Sequence, residues 1–172
     1  SVETIISPLF GWDATMHWAT KAKVWFDHRE LVPFVDTQVW LELPPDSAKF
    51  TDHHPAYPPT VSLLQLWMAL SVGRWSETVI NWPWPMMLLS MWLIVYGHGR
   101  VLGVSRPSAL VFAYFVISLP MVGTHVALAG YADLLLGLSY LAACLCLMDW
   151  GRSGRREMLI LAVAMALLCT QV

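Results

Sequence analysis

The chain has 172 residues, of which 57% are hydrophobic and only 13% charged, with ten tryptophans and a formal net charge of −2. A soluble domain carries about 25% charged residues and a nucleic-acid binder a basic footprint, so the composition argues against both classes. Eight of the twelve acids fall in residues 1–52, whereas no Asp, Glu, Lys or Arg occurs between Glu77 and Arg100, between Arg106 and Asp133, over 134–148 or over 158–172. Uncharged runs of this kind cross hydrocarbon as helices, and the chain reads as an integral membrane protein.

In chain order, residue 1 is a serine with neither a basic n-region nor an apolar h-region, so no signal peptide is expected. The last run, "LLCTQV", stops within apolar sequence. The chain therefore reads as a piece of a longer polytopic protein, lacking at least one helix before Ser1 and others after Val172. Residues 1–78 form a polar first region. Within it, 13–28 fit a helix: Thr15, Trp18, Ala22 and Trp25 follow one face, while Asp13, His17 and Lys21 line another. Such a helix suits the membrane interface. Residues 31–58, containing "ELPPDSAKFTDHHPAYPP", read as loop, and 60–72 as a short juxtamembrane or re-entrant helix.

A transmembrane region over 79–172 follows, with four predicted spans at about 79–97, 108–128, 131–148 and from 157 onward. The first opens on "NWPWP", an interfacial tryptophan pair beside prolines. The loop "HGRVLGVSRP" carries Arg100 and Arg106, and "DWGRSGRRE" carries Arg152, Arg155 and Arg156. The positive-inside rule places both on the cytoplasmic side. It leaves the first region and the turn "THVALAGYAD" on the other, so Asp13, His53, His54 and Asp133 are expected on one membrane face. The fold class expected is all-α and polytopic.

Several residues invite a chemical reading. Asp133, at the mouth of a span, is either a helix N-cap or a site residue. Asp13 is a first-turn acid near Gly11, a partner for Lys21, or a site residue. His17 lies four residues on and could share a metal with Asp13, although no HExxH or CxxC pattern accompanies them. "TDHHPAYPPT" sets Asp52, His53, His54 and Tyr57 among rigid prolines; its histidines could meet a phosphate or a metal, or shuttle protons. His98 and His125, at span ends, read as snorkelling or capping residues. Cys144, Cys146 and Cys169 lie in apolar runs and read as packing residues, not disulfides. There is no GxSxG, P-loop or Rossmann fingerprint, so no nucleotide is expected.

Three stretches taken together carry a resemblance: "GWDATMHWATKAKVWF", then "HHPAYPPTVSLLQ", then "GYADLLLGLSYLAA". In this order they resemble the polytopic membrane glycosyltransferases of the C-type fold, the superfamily of dolichyl-phosphate-mannose protein mannosyltransferases and lipid A aminoarabinose transferases. The resemblance covers about 11–148. It implies a first periplasmic loop in a bacterial inner membrane and a polyprenyl-phosphate-linked sugar donor. The acceptor would be a hydroxyl of a glycan, lipid or protein, and the anomeric carbon would be inverted. It also assigns roles: Asp13 as catalytic base; Lys21, His53, His54, Tyr57 and Asp133 as substrate-binding residues; and Asp13 with Asp133 as ligands of a divalent metal ion. The chain departs from the pattern at Ala56, where an acid is common, and in the extra His53. Two other readings stay open: a transporter or channel lined by Asp133 and His125, and a non-catalytic membrane subunit.

Overall fold

The computed structural model describes Thr4, Leu9 and Gly11–Val172, and these residues are mostly helical. The remaining N-terminal positions of the predicted first region (1–3, 5–8 and 10) lie outside the described residues. The chain divides into two compact units. One runs up to Trp82 and takes in Leu128–Tyr131; the other holds Pro83–Ala127 and Ala132–Val172.

The first unit opens with a π-helical segment, Ala14–Ala19, that runs directly into α1 (Thr20–His28). Helix α1 ends at Arg29, which adopts the left-handed conformation at φ 59° and lays its guanidinium 4.4 Å from the Phe26 ring centre. The stretch expected to be loop contains a strand pair. Strand β1 (Phe34–Val35) lies parallel to β2 (Phe50–Thr51), in the register Phe34 to Phe50 and Val35 to Thr51. Between them sits α2 (Thr37–Leu41), capped by the Asp36 carboxylate accepting from the Gln38 amide at 2.8 Å. Two-residue strands are too short to show a period of two, so composition gives no sign of them. Helix α3 (Thr60–Val72) is stopped by Gly73 at φ 74°, and α4 (Glu77–Ile80) follows. Phe26, Ala69 and Ile80 form the apolar core of this unit, with Leu9, Leu66, Met68 and Trp75 packed around it.

The helix at 13–28 differs from the expected amphipathic face. His17 and Lys21 are as buried as Trp18, Ala22 and Trp25. They are tolerated because a buried carboxylate meets them, as described below.

Residues 128–131 are folded into this same unit by close packing. A Cβ on Gly130 would lie 2.7 Å from the Ala14 Cβ and 3.0 Å from Leu9 Cδ2, and its φ is +98°. A Cβ on Gly11 would collide with the Tyr131 ring. Only glycine fits at either place.

The second unit is built from α5 (Pro83–Val101), α6 (Arg106–Ile117), α7 (Pro120–Ala127), α8 (Asp133–Ser153) and α9 (Arg156–Cys169). Helix α6 starts where Ser105 caps the Ser108 amide and Pro107 occupies the first turn. Helix α5 packs on α6, with Gly99 against Ala109, and α8 packs on α9.

Among the described residues, Glu77–Val101 and Asp133–Ser153 are long and apolar enough to cross a membrane. A third candidate exists if α6 and α7, bent by 59°, count as one span. The unbroken span expected over 108–128 is interrupted because Pro120 has no N–H to continue the ladder. Helix α9 has 14 residues, fewer than the roughly 20 that a span needs. The three cysteines are free thiols, each partly buried.

Substituting Gly130 by Ala is expected to destabilise the chain by about 1–3 kcal/mol, from backbone strain plus the clash with Ala14. Gly103→Ala is the control, because Gly103 has a similar φ of +82° with open space around it. Thermal unfolding in detergent should show the larger loss for Gly130→Ala; equal losses would refute the close-packing account.

Candidate functional site

The site in the first unit grows from a single carboxylate. Strand β2 delivers Asp52: its amide donates to the Val35 carbonyl at 3.0 Å, extending the parallel pair by one bond. This holds the side chain against the helix that starts at Ala14, where it is only 2% exposed. Its Oδ1 lies 2.5 Å from His17 Nδ1 and also accepts from the His54 amide at 3.2 Å. Its Oδ2 lies 2.6 Å from the Lys21 ammonium, which is 4% exposed. That ammonium also donates to the His54 carbonyl at 3.2 Å.

Burial alone would raise the Asp52 pKa. The Lys21 ammonium, then His17, then the His54 amide outweigh it and hold the carboxyl below its ordinary range. A charge taken out of water is tolerated only with partners on both oxygens, and Asp52 has them.

His17 links this buried carboxylate to an open one. With Nδ1–H given to Asp52, its Nε2 faces Asp13, whose Oδ1 lies 3.8 Å away. Asp13 is half-exposed, at 49%. The π-helical turn, with its wider i→i+5 bonding, sets residues four and five apart nearly above one another, which suits this Asp13–His17 alignment.

Aromatic rings wall the array. His54 stacks on Tyr57 with centroids 4.6 Å apart and planes 14° apart. Tyr57 stacks on Trp18 at 6.2 Å, and Trp18 meets Tyr131 at 6.0 Å. Three stretches far apart in sequence thus converge in one unit: residues 13–21, residues 52–57 and Gly130–Tyr131.

Of the residues singled out in the sequence, Asp13, Lys21, His54 and Tyr57 come together here. His53 is exposed next to His54. Asp133 belongs to the second unit, in the first turn of α8. Its side chain is 56% exposed and makes no cap bond, with Oδ2 3.8 Å from His125 Nδ1. Ala132, not Asp133, is the cap residue. Among the described residues no group of three or more His, Cys, Asp and Glu side chains is gathered closely enough to hold a metal ion.

Sequence reasoning missed the centre of this arrangement. Asp52 stood out only as one member of a polar loop, and its partner His17 is 35 residues away in the chain. In the sequence Trp18 reads as part of the face of an interfacial helix, and Tyr131 has no role of its own. It also missed a pair in the second unit: His98 Nδ1 lies 3.2 Å from Asp149 Oδ1, joining α5 to α8.

No family model, curated protein or solved structure matches the chain.

Asp52→Asn leaves Lys21 buried without its counter-ion and is expected to cost about 3–5 kcal/mol. The folded-state pKa of Asp52 lies below its ordinary value of 3.8, so its stabilising contribution is present above that value. It fades as pH falls through the lower, folded-state pKa. Unfolding measured from pH 7 down to pH 2 should therefore show an acid-labile component that Asp52→Asn lacks. Identical acid profiles would show that the ion pair contributes nothing.

Proposed function

We propose that the chain carries the catalytic loop of a membrane glycosyltransferase, which moves a sugar from a polyprenyl-phosphate donor to an acceptor hydroxyl at the periplasmic face of a bacterial inner membrane. The observation that supports this reading most is that the first two family-like stretches, with Gly130–Tyr131 of the third, pack into one unit around the half-open Asp13 backed by His17, Asp52 and Lys21.

In this proposal the acceptor hydroxyl gives its proton to Asp13 as its oxygen attacks the anomeric carbon. The bond from that carbon to the phosphate oxygen breaks, and polyprenyl phosphate leaves with the electron pair. His17, held in one tautomer by Asp52, faces Asp13 and tunes its charge; it is a positioning residue, as is Asp52.

Lys21 is enclosed by Asp52 and the His54 carbonyl. Its role is therefore to neutralise Asp52, and the phosphate falls to the exposed His53 and His54. The exposed Tyr57 and His54 rings, stacked on one another and with Trp18 buried behind Tyr57, offer apolar contact to the sugar. Asp133 and a divalent ion remain part of the family expectation, and no step here passes through a metal. The donor arrives through the lipid phase, which suits a loop unit joined to apolar helices.

A transporter is the second reading, and the 59° break between α6 and α7 is the observation in its favour.

The test is release of polyprenyl phosphate from labelled polyprenyl-phosphate hexoses and pentoses by the full-length protein in membranes. Asp13→Asn is expected to lower turnover by about 10²–10⁴-fold, the usual worth of a general base, with folding unchanged. A folded Asp13→Asn variant with full turnover would remove Asp13 from the mechanism. Sugar uptake into vesicles without any covalent transfer would favour the transporter.

A further inference from the structure

The second unit contains a cavity with charged side chains in its wall that the proposed chemistry does not use. It has a volume of about 370 Å³ and is lined by Val101 at the end of α5, by Asp149, Arg152 and Ser153 at the end of α8, and by Arg155 and Met158 at the start of α9. Volumes of this order hold a small-molecule group. The helix ends that form it include those of both stretches long enough to cross a membrane, Glu77–Val101 and Asp133–Ser153. A cavity at such ends lies at the depth of lipid headgroups.

Charge decides what it accepts. Among the described residues no carboxylate pairs with Arg152, and Arg155 reaches only Glu157, at 3.7 Å with both side chains largely exposed. The Asp149 carboxylate in the wall would repel an anion, but His98 holds it at 3.2 Å from behind. The His98 side chain is 10% exposed, and among the described residues its buried Nε2 has no hydrogen-bond partner. Asp149 is thereby tied to the α5–α8 contact, and the two arginines dominate the opening. The first turn of α9, with no side-chain cap, adds its positive end. Val101 and Met158 supply the apolar part of the lining.

We propose that this cavity binds the phosphate of an anionic phospholipid headgroup, with Arg152 and Arg155 as its ligands and Val101 and Met158 against the glycerol end. The site fixes the α5, α8 and α9 ends to one another through a lipid, and stands whether or not the chain transfers sugars.

The test uses the full chain in detergent. Phosphatidylglycerol, phosphatidylcholine or inorganic phosphate is added, and lipid occupancy is read by native mass spectrometry alongside thermal unfolding. Phosphatidylglycerol alone should be retained and raise the melting temperature. Arg152→Gln and Arg155→Gln should each weaken its binding about five-fold, the worth of one basic residue at an anionic surface. Asp149→Asn should tighten it, because the one carboxylate in the wall is gone. Arg74→Gln, an exposed arginine of the other unit, should change nothing.

Equal retention of phosphatidylcholine would overturn the proposal, as would an effect of Arg74→Gln as large as that of Arg152→Gln. Stabilisation by inorganic phosphate to the same degree would replace the lipid with a free anion. Weaker binding in Asp149→Asn would also overturn the assignment, since it would make Asp149 a supporting group and not a repulsive one.

Discussion

The first unit depends on one buried ion pair. Asp52 and Lys21 sit 2.6 Å apart with almost no exposure, and each would be unacceptable there alone. Their attraction, together with His17 on the other Asp52 oxygen, joins the helix starting at Ala14 to the segment that follows β2. The stacking of Tyr57 on Trp18 adds an aromatic contact between the same two segments. The charge pair and this packing act on the same junction. The charge pair also restricts geometry, since both carboxylate oxygens are assigned and the ring of His17 has one orientation.

That restriction links stability to chemistry. His17 is turned toward Asp13 because Asp52 occupies its other nitrogen. The open carboxylate is consequently the end of a chain of three further groups, all anchored in the interior. The half-exposed end is where a substrate can reach, and the buried end is where its charge is balanced. The rings of His54, Tyr57, Trp18 and Tyr131, stacked or tilted against one another, back this array, with Trp18 buried and His54 and Tyr57 exposed.

What was legible in the sequence follows from range. Apolar runs show themselves over a dozen residues, so the helices from Pro83 onward were visible, as was the helical course of 14–28. Local breakers were visible too, but their weight was not: Pro120 ends one helix and starts another at a 59° bend, where composition suggested a continuous span. The short parallel pair carries no periodic signal, because each strand has two residues. Asp13, Lys21, His54 and Tyr57 could be named from motif-like stretches. The role of Lys21 could not, because its neutralising partner lies at a distance along the chain that no spacing rule relates to it. Asp52 was hidden beside two histidines that looked more reactive. Burial separates them: Asp52 is enclosed, while both histidines are exposed.

The parallel pair between β1 and β2 has a consequence for how this loop can change. Its register delivers Asp52 to the Val35 carbonyl, and a slip of one residue would turn the carboxylate to the opposite side, away from Lys21 and His17. The constraint acts only on residues flanking the pair. The segment from Asp36 to Lys49 closes on itself through α2 and through the Trp40 indole donating to the Lys49 carbonyl. Lengthening it adds little closure entropy, since that term grows only logarithmically. Residues 36–49 are thus the part of the loop free to diverge, able to acquire new length and new surface while the carboxylate they enclose stays where it is.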